Sequence, residues 1–181
     1  MSNVRIATAR GALCCPGALM VRLYSLMNPG VHTEIWFDDL RIAAAYNSPY
    51  GCVRAEKMDE EPAVAHDGSE WHTVKVPVTD AAVALEFIMC ALKARVPYGI
   101  NVLECALPKV ILDNVESDLD CCAPESWDRV FCSQFALLFL RWCDRKGILG
   151  VPKDRARALW TVNSRGCLPS RLQIITDLVF H

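Results

Sequence analysis

Residues 127–142, WDRVFCSQFALLFLRW, set a single cysteine immediately ahead of an almost uninterrupted apolar run. Phe135, Leu138, Phe139 and Trp142 recur at spacings of three and four, and Leu137 and Leu140 fill the opposite side. A helix that is apolar all round is stable only when other elements surround it, so the spacing predicts the central helix of a domain. Arg145 and Lys146 suit its C-terminal dipole, and Gly147 can take the left-handed conformation that ends it. Cys132 then falls at the positive end. Backbone N–H groups and the partial positive charge there favour a thiolate. With a histidine also adjacent, a thiol pKa of about 8.5 can fall to roughly 3.5–7.5. A small apolar core cysteine suits the same position, so the choice between the two depends on what else the chain can bring to it.

A chain of 181 residues fits one domain over 1–181 and can bury about 70% of its unfolded surface without a metal or disulfide staple. Its ten cysteines suggest a secreted scaffold, but residues 1–10 are polar and mixed and carry no signal pattern. Reduced thiols and a cytoplasmic location are therefore expected. Cys14-Cys15 and Cys121-Cys122 are adjacent pairs, with no histidine at zinc-finger spacing after either, so no metal and no cofactor is expected. The net charge is −2 and the basic residues are scattered, which argues against nucleic acid. The apolar run 135–140 is far short of the roughly 18 residues that a membrane span needs.

Along the chain, residues 1–19 lack a clear period and read as an irregular or strand-like start. Residues 19–27 read as a first strand, closed by Asn28-Pro29-Gly30. Residues 31–37 alternate, placing His32, Glu34 and Trp36 on one face and Val31, Thr33, Ile35 and Phe37 on the other. Asp38-Asp39 makes a turn, and 40–46 return as the second arm of a hairpin. A short strand is expected over 52–55, a solvated acidic loop over 59–69, and a half-buried strand over 71–78. Thr79 or Asp80 can cap a helix over 81–95. Residues 113–126 are acidic and predict an exposed excursion before the central helix, and Pro169 suits the first turn of a C-terminal one. No internal repeat or linker divides the chain.

A cysteine nucleophile needs a histidine to hold the thiolate and protonate the leaving group, and a polar residue to fix the imidazole. Four histidines are available. His181 is terminal, His66 lies in the acidic loop, and His72 shares a face with Val74 and Val76 as a satisfied core histidine would. His32 opens a strand directly after a turn, beside polar Glu34, and is the candidate.

Three blocks, His32-Thr-Glu-Ile-Trp-Phe-Asp-Asp, Val96-Pro-Tyr98-Gly and Val130-Phe-Cys132-Ser-Gln-Phe, resemble in that order the circularly permuted NlpC/P60 group of papain-like proteins. Residues 168–172, LPSRL, are similar to the segment that often closes such domains. Ordinary papain relatives carry Cys before His, whereas here His32 precedes Cys132 by 100 residues. The resemblance covers about 20–175 and implies an α+β papain-like fold, with a small antiparallel sheet or half-barrel packed on the helix that bears the cysteine. It implies a Cys132/His32 pair, and a tyrosine, Tyr98, whose hydroxyl helps to bind an oxyanion. The third polar residue of the group lies about a dozen residues after the His, where this chain reads Ala43-Ala44-Ala45-Tyr46-Asn47. Asn47 or Tyr46 can fill that role if the hairpin is long enough, and Glu34 only if its side chain curls back.

The expected activity is thiol hydrolysis of a peptide-like amide or isopeptide bond on a peptide or protein substrate. The alternatives are acyl transfer or ester hydrolysis on a lipid, and a catalytically silent binding domain. Lipid chemistry calls for an apolar anchor or a basic amphipathic face, and the chain has neither a spanning segment nor a polybasic run. Exposed aromatics such as Trp36 and Tyr50 are expected to supply apolar subsites for an extended peptide.

Overall fold

The computed structural model describes residues 3–10, 30–44, 52–62, 64–65, 70–99, 127, 129–164 and 166–181. Strands come first and helices after, the segregated order of an α+β chain. β1 (Val4–Arg10), β2 (Gly30–Phe37), β3 (Leu40–Ala44), β4 (Val53–Lys57) and β5 (Glu70–Val76) form one open antiparallel sheet in the order β4-β3-β2-β1-β5. The helices are α1 (Ala81–Ala94), α2 (Cys132–Arg145), α3 (Lys153–Ala156) and α4 (Pro169–Phe180), with a 3-10 turn at Arg157–Trp160.

The period-two pattern of the strands becomes a continuous apolar row. Ile6 lies opposite Ile35 on one side and Val74 on the other, and Ile35 lies opposite Ile42. All four are at most 1% exposed. Helix α2 packs on β2 and β3, and α4 packs on β1, β2 and β5. Phe135, Leu138 and Phe139 of α2 join Leu172, Ile175 and Val179 of α4 and Ile6, Ile35 and Ile42 of the sheet in one core.

The prediction of a helix buried all round holds for α2, where every residue from Cys132 to Cys143 is buried. Its one buried cation is satisfied by carbonyls: Arg141 Nε donates to Leu159 O at 2.9 Å and its terminal nitrogen to Val162 O. Gly147 has φ 68°, the left-handed end expected for the helix. Helix α1 begins as anticipated at Asp80, whose Oδ1 accepts from the Val83 N–H at 3.1 Å. Arg95, at φ 47°, closes it. Pro169 stands in the first turn of α4.

Three readings change. Residues 4–10 are a full strand flanked on both sides, because the alternation Val4, Ile6, Thr8 suffices once Ala7 and Ala9 are buried on the other face. His72 is not a core histidine. It sits at the sheet rim, 26% exposed, with Nε2 2.8 Å from Asp177 Oδ1 and Nδ1 3.3 Å from Arg10. Trp36 is 3% exposed and cannot serve as an open subsite. The strand expected over 19–27, residues 45–50 with Tyr46, Asn47 and Tyr50, and the excursion 113–126 lie outside the described residues. Among the described residues, no helix is long and apolar enough to cross a membrane.

Candidate active site

Cys132 is the first residue of α2. The preceding Phe131 is extended, at φ −108° and ψ 170°, and among the described residues no side chain caps the helix start. Such a start leaves backbone N–H groups without intrahelical acceptors. The sulfur takes up part of that demand: it accepts hydrogen bonds from the backbone N–H groups of Ser133 and, across from the sheet, Thr33. Ser133 turns its own hydroxyl away, donating to Cys167 O at 2.5 Å. Strand β2 delivers the partner. It pairs with β3 only over Ile35–Phe37, and before that stretch His32 meets Cys132 through a side-chain hydrogen bond. The structure therefore brings together two residues 100 positions apart in the chain. Cys132 is 4% exposed and the His32 side chain 31%, so the imidazole is the open side of the pair.

Behind His32 stands Glu34, two residues on along the same face of β2, where successive same-face side chains are neighbours. His32 Nε2 is 3.5 Å from Glu34 Oε1. The carboxylate is fixed from three other directions: Arg41 Nε donates to Oε2 at 2.9 Å, an Arg41 terminal nitrogen to Oε1 at 2.7 Å, and Trp36 Nε1 to Oε2 at 2.9 Å. Arg41 reaches it because the tight turn at Asp38 and Asp39 sets Arg41 opposite Trp36, one diagonal step from Glu34.

The charges of this set are mutually dependent. Burial alone disfavours an ionised thiol, yet the His32 charge and hydrogen bond and the N–H groups of Thr33 and Ser133 hold the Cys132 thiol below its ordinary value. Burial also opposes a charged imidazole, but Cys132 and then Glu34 outweigh it and raise His32 to about 10. Glu34 is pushed down to about 2, because His32, Arg41 and Trp36 overcome its burial. These directions favour a thiolate–imidazolium pair backed by a carboxylate–guanidinium pair. Such a pair titrates as a unit, so its apparent midpoints belong to both groups.

Of the residues singled out from sequence, Cys132 and His32 meet. Tyr98 lies close by: it is half-buried at the core margin and bridges Val130, two residues before Cys132, in a parallel pairing. Val130 N–H donates to Pro97 O at 2.9 Å and Gly99 N–H to Val130 O at 3.2 Å. A Cβ at Gly99 would come within 2.8 Å of the Arg129 side chain, so the two segments approach closely here. Asn47 lies outside the described residues. The orienting position that the sequence left open between Asn47, Tyr46 and Glu34 has Glu34 beside His32. The signal was present in the hairpin, since a turn at 38–39 places Arg41 within reach of Glu34. Among the described residues, no group of three His, Cys, Asp or Glu side chains could hold a metal ion. Comparison with family models, with curated proteins and with solved structures finds no match.

Proposed function

We propose that this chain is a thiol hydrolase of the papain-like type, cleaving a peptide-like amide or isopeptide bond. The observation that carries the reading is the Cys132 sulfur at a helix N-terminus, hydrogen-bonded to a His32 that a clamped carboxylate backs. The order His before Cys, the Tyr98 segment beside Val130 and the antiparallel sheet support a permuted NlpC/P60-like arrangement.

In this mechanism the Cys132 thiolate attacks the scissile carbonyl carbon, and the C=O electron pair moves to oxygen. The backbone N–H of Cys132 is one donor to that oxyanion, and the Tyr98 hydroxyl is a second. Collapse of the tetrahedral intermediate breaks the C–N bond, with the proton on His32 passing to the leaving amine. His32, now neutral, takes a proton from water as the hydroxyl oxygen attacks the thioester, and the acid is released with the thiolate restored. Glu34 holds the ring through both halves and stabilises its charged form.

The test is chemical mapping of all ten cysteines. At pH 6 an ordinary thiol near pKa 8.5 is almost wholly protonated, so iodoacetamide should label Cys132 first, and His32→Ala should erase that preference. Turnover should persist in alkaline solution until His32 loses its proton near pH 10 and decline above that. Labelling of Cys52, Cys90 or another thiol ahead of Cys132 counts against the assignment.

A further inference from the structure

We infer that Trp71 is a positioning residue for the proposed thiol chemistry, roofing the His32–Glu34–Arg41 network from two strands away and keeping its charges coupled. The inference rests on the hydrolase reading but adds a residue that the resemblance does not supply. Trp71 is on β5 and His32 on β2, with β1 between them. The register puts both opposite Ala9, so Trp71, Ala9 and His32 form one row on one face of the sheet. The next row contains Ala7, opposite Glu34. Two strand spacings separate the outer positions by about 9–10 Å, and a methyl group is too short to fill that distance. The indole therefore leans across. Its ring lies 6.4 Å from the His32 ring, 5.4 Å from the Trp36 ring in an edge-on contact, and 5.8 Å from the Arg41 guanidinium carbon. Those three neighbours surround Glu34 in the sequence of its bonds: His32 on one oxygen, Trp36 and Arg41 on the other or both.

Two physical effects follow from this placement. The electron-rich indole lies within interaction distance of the Arg41 cation, which its face favours, and beside the His32 ring. It also excludes water from the carboxylate they share, and ion pairs weaken as the local dielectric rises. The pairing of His32 with Cys132 and Glu34 outweighs its burial penalty, so admitting water scales both down and returns the group toward its ordinary value. The thiol, held low by the same pairing, moves the opposite way, and the pH range of the thiolate–imidazolium state narrows at both ends. Among the described residues, the indole Nε1 is buried without a hydrogen-bond partner. Trp71 is thus held for its ring and not for its N–H, and a phenyl ring at this position gives up no bond.

The experiment is the pH profile of Cys132 carbamidomethylation, read by mass spectrometry, together with NMR titration of the His32 ring, in Trp71→Leu, Trp71→Phe and Ala9→Leu. Trp71→Leu keeps an apolar filler but removes the ring. It should lower the His32 midpoint and move the acid limb of the labelling profile to higher pH, with labelling above pH 9 unchanged because an ordinary thiol is ionised there too. Ala9→Leu fills the gap that the indole crosses and should give the same profile with Trp71 still present. Trp71→Phe should stay within about twofold of the parent. A merely structural tryptophan would change stability and leave the profile in place. A Trp71→Leu profile that overlays the parent, with Cys132 still labelled first, overturns the Trp71 assignment alone. Absence of Cys132 preference in the parent overturns the hydrolase reading instead, and the His32 midpoint in Trp71→Leu then still decides for or against the roofing role.

Discussion

Cys132→Ala is expected to abolish turnover while leaving the fold intact. In the proposed mechanism the thiolate makes and breaks the covalent bond, and loss of a nucleophile of this kind costs on the order of 10⁵–10⁶-fold in kcat. The residual rate comes from whatever the oxyanion donors and substrate binding supply without it. An ester probe such as p-nitrophenyl acetate serves as the readout, since it acylates a competent thiolate without a specific leaving amine. The position is buried, but the substitution removes only a sulfur, and the Phe131-to-Phe135 backbone bond of 2.9 Å that starts α2 does not involve it. Near-native thermal unfolding beside lost turnover separates the chemical role from a structural one. Turnover that survives Cys132→Ala removes the nucleophile from the mechanism.

Phe87→Ala is expected to destabilise the protein by about 3–5 kcal/mol, as deletion of a fully buried aromatic does when the surroundings cannot close on the cavity. Phe87 is 1% exposed. Its ring meets those of Trp127, Phe135, Phe139 and Trp142 at centroid distances of 5.7, 5.6, 5.8 and 5.9 Å. Three of these partners belong to α2 and Trp127 to the segment leading into it, so the ring fixes α1 against the helix that presents Cys132. Relaxation into the cavity would have to move α2. Denaturant unfolding should show the loss as a lower midpoint with an unchanged slope. Phe87→Leu, which keeps most of the volume, should cost well under half as much; equal losses for Leu and Ala would mean that the ring contacts, and not the volume they fill, account for the loss.

What could be read from sequence and what could not divides along physical lines. The apolar run after Cys132 has only one stable environment, so α2 and its burial followed directly, as did the cap at Asp80 and the left-handed Gly147. The hairpin at 30–44 carried a period-two pattern strong enough to place His32, Glu34 and Trp36 together. β1 was harder, because Ala7 and Ala9 have no strand preference of their own; their smallness matters only once Trp71 and Glu34 are known to share their face. Trp36 looked like a surface aromatic because its face is the polar one, and its burial depends on the bond that its indole N–H gives Glu34. Glu34 itself was open to the orienting role only if its side chain curled back toward His32. Its clamp requires Arg41, seven positions on, and only the register of the turn brings the two together.

The proposed chemistry depends on the charge state of His32, and the direct measurement is NMR titration of its ring in the parent protein, in Cys132→Ala and in Glu34→Gln. The expected result is an imidazolium throughout the neutral range, with a midpoint near 10 in the parent. It should fall in Cys132→Ala, which removes the thiolate, and in Glu34→Gln, which removes the carboxylate, because each supplies part of the upward shift. A ring in the parent protein that titrates near 6.5 and is indifferent to both substitutions would contradict it.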